Sequence, residues 1–201
     1  VAITTGTLNL AAQPWIGARF SNVAIPKGAY ITSAYITINA NANDASAADM
    51  TIYGEAVDNS ATFTTTNNSI STRAQTSASV AWIPASWSNG TAYNTPELKT
   101  LVQEIVNRSG WASGNNLSIL FKSNDTSKQR RGQTYDGSTT LCPLLHVDYV
   151  TNAWWKLDET SGTSAADAAA GGTLDDLRGG EPETNARLAR EILSGAGGPK
   201  A

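Results

Sequence analysis

In the segment YITSAYITINA at residues 30–40, side chains from Ala34 to Ala40 alternate between two faces, one of them wholly aliphatic. Ala34, Ile36, Ile38 and Ala40 share one side, while Tyr35, Thr37 and Asn39 share the other. Successive side chains of an extended chain point to opposite faces, so this spacing describes a strand with one face in a core and one near water, as in an antiparallel sheet. Other stretches repeat the pattern. They are 3–10, 15–20 with Ile16, Ala18 and Phe20 on one face, and 50–57 with Met50, Ile52 and Gly54 on one face. Further ones run from Val80 to Trp82, through Leu117, Ile119 and Phe121, and through Leu145, Val147 and Tyr149.

One strong helix pattern interrupts the strands. Leu98, Leu101, Val102, Ile105 and Val106 fall on a single face. Thr95 is placed to cap, Pro96 suits the first helical position, and Gly110 ends the run. A weaker pattern runs through Leu188, Ala189, Ile192 and Leu193. The expected fold is mainly β, an antiparallel, jelly-roll-like β-sandwich with one amphipathic helix at 95–108 and a short C-terminal helical tail. Residues 1–150 are expected to form the sandwich domain and 151–201 an appendage or linker.

A chain of 201 residues can bury one proper core. Its fourteen Lys and Arg and seventeen Asp and Glu are scattered and mixed, with no cationic stripe to follow a phosphate backbone, so nucleic acid is not an expected partner. No apolar run approaches the roughly 20 residues that cross a bilayer, and membrane insertion is not expected. No leader opens the sequence, so an exported form would have lost it. Cys142, the single cysteine, has no partner for an internal disulfide and is expected to be an inert, buried thiol before Pro143. The Asn-x-Ser/Thr sequons at Asn67, Asn89, Asn107, Asn116 and Asn124 are of the kind that a Ser/Thr/Asn-rich chain makes by chance.

No grouping suited to catalysis stands out. His146 is out of phase with Leu145, Val147 and Tyr149 and is expected to face solvent or a covering loop, with Asp148 on the same face but without a serine in a strained elbow to complete a triad. Glu97 and Glu104 read as solvated charges on the polar helix face. Function is therefore expected on surfaces. Trp15, Trp82, Trp87, Tyr93 and Trp111 offer candidates for stacking on a pyranose ring, and each also reads as a core or loop anchor. Trp82 continues the alternation from Val80 and belongs in the core. Trp111 follows the helix end, where an aromatic packs back on the last turn. Arg130 and Arg131, placed in a charged loop or hairpin tip at 122–135, suit a uronate carboxylate or plain solvation. The preferred contacts are Trp87, Tyr93, Arg130 and Arg131. Asp44, Asp49 and Asp58, with Glu55 and Asn59 nearby, are hard oxygen ligands in loops that suit Ca²⁺ or serve as solvated turn formers. The long polar connection at 58–76 is expected to be functional or wrapped over the core, pinned by Phe63.

Three stretches carry a resemblance: WIGARFSNVAIPKGAYITSAYITINA at 15–40, TPELKTLVQEIVNRSGWASGNNLSILF at 95–121 and YDGSTTLCPLLHVDY at 135–149. Together they resemble the DNRLRE-type domain, a secreted β-sandwich related to carbohydrate-binding modules. The resemblance implies a non-catalytic, extracellular, polysaccharide-binding module, and it adds weight to a structural calcium. Members usually carry a further strand before the position of Ile3, which implies an uncovered sheet edge here and an alternative role in assembly by strand addition. AWWKLDETSGTSAADA at 153–168 resembles the opening of a laminin-G-like jelly roll, too short to form one. GGEPETNARLAREILSGAGGPKA at 179–201 is similar to a short piece of anthranilate phosphoribosyltransferase without its phosphate loops. That abrupt change points to a truncated, fused or misassembled reading frame.

Overall fold

The computed structural model describes residues 6–151. Backbone contacts divide the chain after Asn152, and all described residues lie in the first unit. The laminin-G-like opening, the second helix and the tail fall outside the described residues, as do the first residues of the 3–10 stretch.

Nine strands and one helix follow in order: β1 (Thr7–Leu10), β2 (Trp15–Phe20), β3 (Tyr30–Asn39), β4 (Met50–Gly54), β5 (Val80–Trp82), β6 (Ala92–Asn94), α1 (Lys99–Val106), β7 (Leu117–Ser123), β8 (Arg130–Gln133) and β9 (Leu144–Val150). All pairings are antiparallel. One sheet has the order β2-β7-β4-β5, a second β6-β3-β9, and β1 pairs with β8. A bridge between Ala40 and Gly132 links β8 to the end of β3. The result is a β-sandwich.

The alternation in β3 is realised as expected. Ala34, Ile36 and Ile38 are fully buried, facing one core with Met50 and Ile52 of β4 and Ile119 and Phe121 of β7. Trp82 joins two other rings of this core, with its centroid 6.2 Å from that of Trp87 and 6.3 Å from that of Phe121. The helix adds Leu101, Val102, Ile105 and Val106 to this core. Gly54 makes the approach possible: a Cβ there would lie 2.8 Å from Ile105 Cδ1 and 2.9 Å from Thr76 Cγ2.

The helix begins later than the capping pattern predicts. Thr95 Oγ1 accepts the Ile36 N–H at 3.0 Å, and the backbone N–H groups of Thr95 and Leu98 donate to the carbonyls of Ile36 and Ala34. The chain thus stays bonded to β3 through Leu98, the residue that caps the helix, and the first helical turn waits until Lys99. Glu97 assists: its carboxylate accepts the N–H groups of Ala34 at 2.6 Å and Lys99 at 2.9 Å, and the Ser33 hydroxyl at 3.1 Å. Burial works against its charge, but these bonds hold its pKa below the ordinary value. Glu104 accepts the N–H groups of Ser77 and Ala78. Neither glutamate is the idle solvated charge expected. Trp111 is buried and donates its indole N–H to the Ile25 carbonyl at 3.0 Å.

Candidate functional site

The structure brings the expected contact residues together, Trp87 against Tyr93 and, through Asp44, beside Arg131, but it places Trp87 and Arg130 in the interior. Arg130 and Arg131 stand in β8, paired with Leu10 and Asn9 of β1, and not in a hairpin tip. The Arg130 side chain is fully buried. It donates to the carbonyls of Ala85 at 2.9 Å, Gln129 at 2.9 Å, Pro84 at 3.0 Å and Ser46. A guanidinium that satisfies so many carbonyls is a structural tie. Trp87 is 2% exposed, and its backbone N–H and carbonyl both pair with Asp44. Tyr93 stacks on Trp87 with centroids 5.1 Å apart and planes at 8°, and its hydroxyl accepts the Ser88 N–H. Burial leaves Trp87 and Arg130 almost no surface for a ligand, the indole being stacked on Tyr93 and the guanidinium bonded to backbone carbonyls.

The three aspartates take three different partners. Asp44 pairs with Arg131, Asp49 accepts from the Asn124 side chain at 2.9 Å, and Asp58 pairs with Arg108 Nε at 2.7 Å. Among the described residues no three His, Cys, Asp or Glu side chains group as a metal would need. Cys142 is half-buried, with its thiol 3.5 Å from the Thr139 carbonyl. His146 is exposed, as expected, and stacks on Tyr35 at 4.7 Å.

Of the aromatic candidates, Trp15 lines an opening. It starts β2 on the outer face of the four-stranded sheet, where its ring lies 6.1 Å from Tyr53 and 5.9 Å from the Lys122 ammonium. Beside it lies a cleft of about 410 Å³ between β1, β2 and the 58–76 loop. Trp15 and Phe63 contribute rings, Asn9, Gln13 and Asn68 contribute amides, and Thr7, Ser71 and Thr134 contribute hydroxyls. None of its lining residues is charged. The volume falls within the range of small-ligand sites, about 300 to 1,000 Å³.

Between its two anchored ends, the loop that walls this cleft is gathered onto the sheet by Arg73. Arg73 reaches Glu55 Oε2 at 2.8 Å and donates to the carbonyls of Ala61, Thr62 and Ser69. Glu55 also accepts the Ser60 hydroxyl, which lies 2.6 Å from that of Ser118. The loop returns along β4 through the bridge between Glu55 and Gln75. Phe63 lies against the sheet as expected, with the Arg73 guanidinium 4.3 Å from its ring centroid.

Asn9, Gln13 and Asn68 carried no signal in the sequence, since polar residues at strand ends and in a Ser/Thr/Asn loop look alike whether or not they converge. No protein-family model and no curated protein matches the chain.

Proposed function

We propose that the sandwich is a non-catalytic extracellular module that binds polysaccharide, and that the Trp15 cleft is its site. The observation that carries this reading is the lining itself: two aromatic rings and several aliphatic side chains beside three carboxamides and three hydroxyls, with no charged side chain. A pyranose ring offers a C–H face to an indole and a rim of hydroxyls to amides, which both donate and accept. The resemblance to DNRLRE-type domains supports secretion and the carbohydrate class. Retention of the full chain in native gels containing soluble polysaccharides tests it. Trp15→Ala is expected to weaken retention about tenfold, equivalent to about 1.4 kcal/mol, with the far-UV spectrum preserved. Undiminished retention of that variant would remove the cleft from the function.

A second reading has its own observation. Among the described residues β9 pairs with β3 alone, and its Leu144 and Val150 are 49% and 52% exposed. An edge of this kind accepts a strand from another chain, the basis of an assembling subunit. Light scattering over a range of concentrations separates the two, since a constant monomer mass counts against assembly.

A further inference from the structure

We propose that Gly17 sets the shape of the cleft, and so which glycan it accepts, by leaving the space that the Phe63 ring fills; this rests on the reading of the cleft as a glycan site. Gly17 sits in the middle of β2, paired with Leu120 of β7. Glycine in a strand interior weakens it, so a close approach by another group is the usual physical reason for one. Here the group is specific. A Cβ on Gly17 would collide with Phe63 Cζ and lie 2.8 Å from both Cε atoms, well inside van der Waals contact.

The ring has little freedom to give way while the loop stays closed. The Arg73 guanidinium covers it at 4.3 Å and is fixed by the Glu55 carboxylate and by loop carbonyls on both sides of Phe63, at Ala61, Thr62 and Ser69. Glu55 is 6% exposed and anchored at the end of β4. On the other side, β2 is held to β7 over its whole length, from Trp15 opposite Lys122 to Phe20 opposite Leu117. Phe63 and Gly17 both line the cleft. A methyl group at residue 17 must therefore tilt the ring outward and change the wall facing Trp15. Gly17 acts through Phe63 and is a positioning residue.

The test uses the full chain as wild type, Gly17→Ala, Phe63→Ala and the double variant. Each is unfolded in urea and run through native gels containing a mixed-linkage β-glucan, an arabinoxylan or a galactomannan. Gly17→Ala alone is expected to lower the urea midpoint by about 1 M, from overpacking, and to cost nothing further once Phe63 is Ala. Among the polysaccharides that retain the wild type, Gly17→Ala is expected to change relative retention at least fivefold, an effect a general loss of stability would not produce. Additive urea midpoints overturn the proposal whether or not any polysaccharide retains the wild type. Unchanged relative retention in Gly17→Ala overturns the selectivity role even if the midpoints couple. Failure of the wild type to be retained by any of the three, with coupled midpoints, sinks the glycan reading and with it the selectivity role, and leaves Gly17 as the residue that seats Phe63.

Discussion

Asp44 holds Arg131 twice: Oδ1 lies 2.7 Å from the guanidinium Nη2, and Oδ2 accepts the Arg131 backbone N–H at 2.8 Å. The same aspartate exchanges backbone hydrogen bonds with Trp87, so one residue joins β8 to the loop that carries the indole.

That arrangement makes stability depend on acid. Burial of Asp44 opposes its ionisation, but the side-chain and backbone bonds from Arg131 outweigh it and hold the pKa below the ordinary 3.8. A carboxylate depressed on folding contributes stability that is complete above its unfolded value and lost as pH falls through the folded one. The urea midpoint of the wild type is therefore expected to fall steeply below about pH 4. Asp44→Asn should be less stable at pH 7 and show a shallower acid limb. Parallel curves for the two proteins would contradict the linkage.

Arg130 gives a second prediction. Its guanidinium meets four carbonyl oxygens in the interior, and Met in its place would leave those acceptors without donors. Arg130→Met should cost about 3 kcal/mol in urea unfolding, and Arg130→Lys most of that, since an ammonium lacks the planar fork. A loss under about 0.5 kcal/mol, the range of ordinary surface changes, would show that the carbonyls find other partners.

Calcium gives a third. Asp44, Asp49 and Asp58 are each engaged by a separate partner and do not gather into one group of ligands among the described residues. Millimolar Ca²⁺ or a chelator is expected to leave the midpoint of thermal unfolding unchanged. An ion at 100 times its Kd would add about 2.7 kcal/mol, a readily visible rise, and that result would revive a structural calcium.

The parts of this fold that were legible in the sequence are those set by short-range periodicity. Ile36 and Ile38, or Leu101 and Ile105, announce a buried face because the burial acts on neighbours two, three or four residues away. The helix start was not legible, because Thr95 answers to Ile36 on another strand and not to its own helix. Arg130 and Arg131 look like any solvated pair until β1 arrives to make a strand of them. The cleft combines both situations. Trp15 could be named as a candidate ring, but its polar neighbours include residues 9, 13, 68 and 71, which only the closed loop brings together.

The Arg73 tie has a consequence for how the cleft behaves in time. A long loop held by dispersed weak contacts frays residue by residue, whereas this one shares a single cation among Glu55, Ala61, Thr62, Ser69 and the Phe63 ring. Loss of that cation would release all of these at once, so the loop should open as one unit. Amide protons from Ala61 to Arg73 would then exchange with a common opening constant, and the cleft would exist in two conditions, walled or absent, with no graded series between them.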